Sequence, residues 1–328
     1  VTGDSTLANV TLNGTTASGS GVNVTGSLTN TGNTTVTGNA TGNGTGASVS
    51  GTLNGNISGA SDAGTGVAVN GTLNGTVNGT TLSGTGAAVG DGANLTQGQV
   101  HGSATSGTGS TVTGNLTGGT ITGNATGNGT GLHLLPGSSV SGGQLSGESV
   151  SGPGSVLDGS NHLLSTTLTG SSGVGSGLLL NGMVMNTDSV LHGQSGSGDG
   201  VSLNGTVTGG SLSGQSGSGA GVHVTGNSSV SGVNVSASSV GGQGLQLDGV
   251  LSTASGTSLN GASLGDSSAE RRQVHELQNR LSHNNRSLKE VVATSGYREQ
   301  EKPVVVDICT DDQCHKLDAG SSDLPTHP

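Results

Sequence analysis

The chain has 328 residues, a net charge of −11 and 67 glycines, but one Tyr and no Phe or Trp. Its length allows two ordinary globular domains, whereas the missing large side chains exclude a wide, conventionally packed core. All eight Lys and Arg residues lie at or after Arg271, while residues 1–270 carry ten carboxylates; such a body has nothing to neutralise phosphates or anionic lipid, so no nucleic acid and no membrane-surface partner is expected.

From the N-terminus onward the low complexity conceals a period. A Gly followed by two aliphatic residues one apart recurs at Gly21-Val-Asn-Val24, Gly66-Val-Ala-Val69, Gly131-Leu-His-Leu134, Gly177-Leu-Leu-Leu180, Gly200-Val-Ser-Leu203, Gly221-Val-His-Val224 and Gly244-Leu-Gln-Leu247. Successive starts lie about 20–25 residues apart, allowing for weaker copies near Val49, Val89, Val112 and Val156, and a fixed period of this size marks a solenoid. Each aliphatic pair alternates with period two, as a strand with one buried face does, and Asn-Gly, Ser-Gly and Thr-Gly pairs punctuate the corners. Three short strands per circuit use about that many residues. The expected fold is therefore all-β, a right-handed parallel β-helix of about twelve circuits over residues 1–265, a rod about 55–60 Å long.

The body offers little chemistry. Asp62, Asp91, Glu148, Asp158, Asp188, Asp199 and Asp248 occur at most once per circuit without regular spacing, and His101, His133, His162, His192 and His223 fall in different circuits. A catalytic site needs clustered acids and a group to steady developing charge, so no enzyme, no cofactor and no metal is expected. The stretch "SGSGDGVSL" around Asp199 resembles a calcium nonapeptide repeat but occurs once. Asn-x-Ser/Thr sequons, among them Asn9, Asn23, Asn39, Asn74, Asn94 and Asn128, follow from a composition rich in Asn, Ser and Thr.

Composition changes near Gly265. "DSSAERRQVHELQNRLSHNNRSLKEVVATSG" contains a capping box, Ser267-x-x-Glu270, and an apolar stripe at Val274, Leu277, Leu281, Leu288 and Val291 in heptad positions a and d, with Asn284 at the remaining d. A helix is expected over about 268–293, within a segment 266–295 that caps the last circuit or pairs with another helix. The tail, 296–328, holds the chain's two cysteines, Cys309 and Cys314, in an extended run interrupted by a polar turn at Thr310–Gln313. A strand, a turn and a returning strand set the two thiols opposite each other, where a disulfide can close in an oxidising setting. A zinc site at Cys314 and His315 fails on ligand count.

Taken together, units such as "NVTGSLTNTGNTTVTGNATGNGTG" and "SGSGAGVHVTGNSSVSGVNVS", then a helical spacer and a terminal cysteine pair, resemble the C-terminal end of a filamentous-haemagglutinin-like exoprotein. The resemblance implies a large Gram-negative adhesin exported by two-partner secretion, at the cell surface or secreted. It implies partners in the outer-membrane transporter pore and in a surface receptor or polysaccharide. In that family a terminal disulfide loop, the cysteine hook, tethers the rod at the pore; Cys309 and Cys314 match it in type, closeness and position, although fourteen residues follow Cys314. On that resemblance the chain is the C-terminal piece of a longer polypeptide whose secretion domain lies elsewhere. A contact-dependent-inhibition exoprotein or an autotransporter-like passenger is the alternative.

Overall fold

The computed structural model describes residues 1–263, apart from positions 96 and 255, together with the backbone strands Val291–Ser295, Val305–Val306, Cys309–Thr310 and Gln313–Cys314. Residues 1–263 coil as a parallel β-solenoid, and no helix occurs among the described residues.

Each turn visits three faces. In one turn, Thr65–Val69 forms face I, and the long strand Thr72–Thr81 bends at Gly75 to supply face II and then face III. The next turn repeats this in register. On face I Thr45, Thr65, Thr85 and Thr108 stack, steps of 20, 20 and 23 residues, and the longest step, Ser20 to Thr45, is 25. Eleven strands make up face I, from Ser20–Val24 to Leu245–Leu247, so the coil has about eleven turns, close to the twelve expected, and a height of about 50 Å at the usual strand spacing. Beyond Ser263, face III gains one more parallel rung, Val291–Ser295, while among the described residues the last strands of faces I and II are Leu245–Leu247 and Val250–Thr253. The face III ladder then closes with Val305–Val306, which runs antiparallel to Val291–Ser295.

The core is built of aliphatic columns, two from face I and one each from faces II and III. Val24, Val49, Val69, Val89, Val112 and Leu134 stack on face I; Leu53 and Leu73 belong to face II, and Ile57, Val77, Val100 and Ile121 to face III. All are at most 1% exposed. A few aliphatic side chains per turn fill so narrow an interior, two of them from face I, as with Val67 and Val69 or Leu178 and Leu180, which explains why aliphatic residues suffice and rings have no place.

Glycine sets the width. A face III column runs without interruption from Gly14 through Gly38, Gly59 and Gly79 to Gly214, followed by Ala237 and Gly261. It faces the glycines that open the face I strands. A Cβ added at Gly79 would stand 2.0 Å from the Gly86 carbonyl oxygen, and one at Gly170 2.0 Å from that of Gly177. The two sheets therefore touch backbone to backbone along a glycine zipper.

The corner between faces II and III needs a left-handed residue in most turns. Gly118, Gly142, Gly209, Gly232 and Gly256 supply it with φ of 64–81°, as glycine does without steric cost. Asn9, Ser165 and Asp188 take the same position at φ 54°, 49° and 49°.

Candidate functional site

Side chains that bond across turns gather at two further corners. Between faces III and I stands a column of hydroxyls. Ser61 Oγ accepts from the Gly64 N–H (2.9 Å) and donates to the Gly44 carbonyl of the preceding turn (2.9 Å). Ser149 with Gly152 and Gly129, Ser195 with Gly198 and Gly175, and Ser239 with Gly242 and Gly219 repeat the arrangement at 2.6–3.0 Å. Each serine thus closes its own corner and ties it to the turn before. Ala40, Ala104 and Ala125 occupy the column elsewhere.

The acids and histidines that look scattered along the sequence meet across turns. Most carboxylates stand at corners, where strands leave room for solvent: Asp62, Asp91, Asp158, Asp188, Asp199 and Asp248; Glu148 alone among them projects from a face III strand. His133 Nε2 lies 2.7 Å from Asp158 Oδ2, and Asn181 Nδ2 donates to Asp158 Oδ1 at 3.1 Å. His192 Nδ1 lies 2.5 Å from Ser213 Oγ one turn on. His223 has a carboxylate on each ring nitrogen: Asp199 Oδ2 at 2.8 Å from Nδ1 and Asp248 Oδ2 at 2.8 Å from Nε2. The hydrogen bond with Asp199 is the main influence raising the His223 pKa above 6.5; burial opposes it, and Asp248 adds to the rise.

These pairings escaped the sequence reading because turn lengths vary. A signal was present: His133 and Asp158 are 25 residues apart, as are His223 and Asp248. Both pairs join a Gly-aliphatic-His-aliphatic strand to a Leu-Asp-Gly corner one turn later. None of these groups forms a set of three ligands able to hold a metal ion among the described residues.

For the tail, Val274, Leu277, Leu281 and Leu288 of the expected helix seam lie outside the described residues. Val291 is a correction. It belongs to the strand Val291–Ser295, opposite Leu259 in a parallel ladder, and not to the last turn of a helix. The physical reason is local: Val291, Val292 and Thr294 are β-branched, and the open edge of face III offers their backbone a full set of partners. At the terminus, Cys309–Thr310 pairs antiparallel with Gln313–Cys314, setting Cys309 opposite Cys314 and Thr310 opposite Gln313. The connection is two residues, 311–312, shorter than the four expected, because Thr310 and Gln313 join the ladder.

Comparison with protein-family models, curated proteins and solved structures returns no match for this chain.

Proposed function

We propose that this chain is a structural stalk, the membrane-proximal part of a large bacterial surface adhesin, with Cys309 and Cys314 closing a disulfide hook that anchors it at an outer-membrane transporter pore. The observation that carries this reading is the unbroken parallel register of eleven turns, Ser20 to Leu247, on face I. A load along such a rod is shared by ladders of backbone hydrogen bonds, the serine column and the cross-turn histidine bridges, while the turns provide reach. The charges held at corners keep the rod soluble and leave face III nearly uncharged, a surface of hydroxyls and amides suited to a polysaccharide or a surface receptor. No group in the body is arranged for catalysis in this reading.

The anchoring half is tested by replacing both Cys309 and Cys314 with Ser in the producing cell and measuring the protein on the cell surface and in the medium. The hook predicts transfer to the medium without loss of total protein. Unchanged surface retention refutes it.

A further inference from the structure

His223 stands apart from the other cross-turn contacts, because both its ring nitrogens meet carboxylates. Its side chain is 20% exposed, as against 22% for Asp199 and 53% for Asp248. An ionised carboxylate only accepts hydrogen bonds, and neutral imidazole has one N–H and one lone pair. With acceptors on both sides, only imidazolium, a donor at each nitrogen, makes both bonds. The three residues lie on consecutive turns: Asp199 precedes the face I strand Val201–Thr208, His223 is central in Val222–Val224, and Asp248 follows Leu245–Leu247.

We infer that Asp199, His223 and Asp248 form a pH-operated brace across three successive turns near the C-terminal end of the solenoid, engaged when the imidazole is protonated and released when it is neutral.

Among the described residues the brace has no substitute. Residues 1–270 contain no Lys or Arg, so histidine is the only side chain in the body able to place a positive charge between two acids. Along face I, His223 is paired with Ser202 on one side and Gln246 on the other, both uncharged. Among the described residues, the titratable groups facing the ring are the two aspartates. Asp199 is held in place by the Ala220 N–H at 2.9 Å, and Asp248 by Gln246 Nε2 at 2.6 Å, so neither carboxylate has to move when the proton arrives.

The raised pKa has a definite sign. In the unfolded chain His223 titrates near 6.5; in the folded chain it holds its proton to higher pH. The stabilisation is fully present below pH 6.5 and is lost as pH rises through the folded-state value. Above it, one ring nitrogen presents a lone pair to a carboxylate, and the contact between turns opens.

Two measurements on the full chain test this. NMR titration of the His223 ring is expected to give a midpoint above 6.5, lowered by Asp199→Asn and by Asp248→Asn; Asp199→Asn retains an oxygen for the Ala220 N–H and so should fold. Hydrogen exchange of the 222–224 and 245–247 amides, corrected for intrinsic rate, is expected to rise about tenfold for each pH unit by which that midpoint exceeds 6.5, and to lose this dependence in His223→Gln. A midpoint at or below 6.5, or the same pH dependence of exchange in His223→Gln, overturns the brace.

Discussion

Replacing Gly170 by Ala tests the glycine zipper in the middle of the rod. The new Cβ would lie 2.0 Å from the Gly177 carbonyl oxygen, 2.8 Å from its carbon and 3.0 Å from the Ser155 nitrogen. All three are backbone atoms held in ladders on face I, so no side chain can swing aside. Relief requires faces I and III to part by about 1 Å, and a gap of that size forfeits roughly a quarter to a half of each dispersion contact across it. Leu168 and Leu178, both 0% exposed, sit beside the pair. Overpacking of this kind costs about 3 kcal/mol, against a gain of about 0.4–1 kcal/mol from the stiffer unfolded chain, for a net loss of about 2–3 kcal/mol. Gly261 is the control. It occupies the same column one rung beyond Ala237, and its added Cβ would approach Leu245 Cβ no closer than 3.2 Å, Leu245 N no closer than 3.3 Å and the Gly244 carbonyl carbon no closer than 3.8 Å. Gly261→Ala should therefore stay within about 1 kcal/mol of the parent. Urea unfolding followed by far-ultraviolet circular dichroism, with hydrogen exchange at residues 168–180 to localise the loss, measures both. If Gly170→Ala is as stable as Gly261→Ala, the faces are not in backbone contact and the zipper is wrong.

Further substitutions probe the other features. Ser195→Ala removes the acceptor for the Gly198 N–H and the donor to the Gly175 carbonyl, and should cost about 1–2 kcal/mol in urea unfolding; no loss would show that the hydroxyl column does not tie turns together. Asn186 is 1% exposed, lies opposite the buried Leu163, and its side-chain amide makes no hydrogen bond among the described residues. Asn186→Leu, with the same number of heavy atoms, should raise stability by about 1–3 kcal/mol, and a drop would contradict the placement of that amide in the apolar interior. Ser165 has φ 49° at the corner where the preceding turn uses Gly142, so Ser165→Gly should gain about 1 kcal/mol on thermal unfolding; a fall in Tm would count against a left-handed corner there.

The solenoid itself was legible because its strongest signal is local. In Gly66-Val-Ala-Val69 and its copies, alternation marks a strand and recurrence marks a stack, and those segments became face I. What glycine does was only half legible. Pairs such as Thr117-Gly118 and Thr208-Gly209 mark corners, where both glycines have positive φ, but Gly79 and Gly170 lie inside strands, where their role is to let two backbones meet. That role depends on the opposite face and leaves no mark within a short window. Asp199, His223 and Asp248 were passed over for a related reason: each is ordinary in its own segment, and only a register with turns of unequal length brings them together. Val291 was misplaced because a heptad fit outweighed the β-branched run Val291-Val292, whose partner, Leu259, is 32 residues away in sequence.

Pulling on single molecules of the full chain by its two ends tests most directly whether the stack of like turns carries tension as a rod. Turns of 20–25 residues that yield one at a time predict a sawtooth whose contour length grows by about 70–85 Å per event, with events numbering near eleven. Extension without repeated steps, at forces no higher than those of an unstructured polymer, would contradict it.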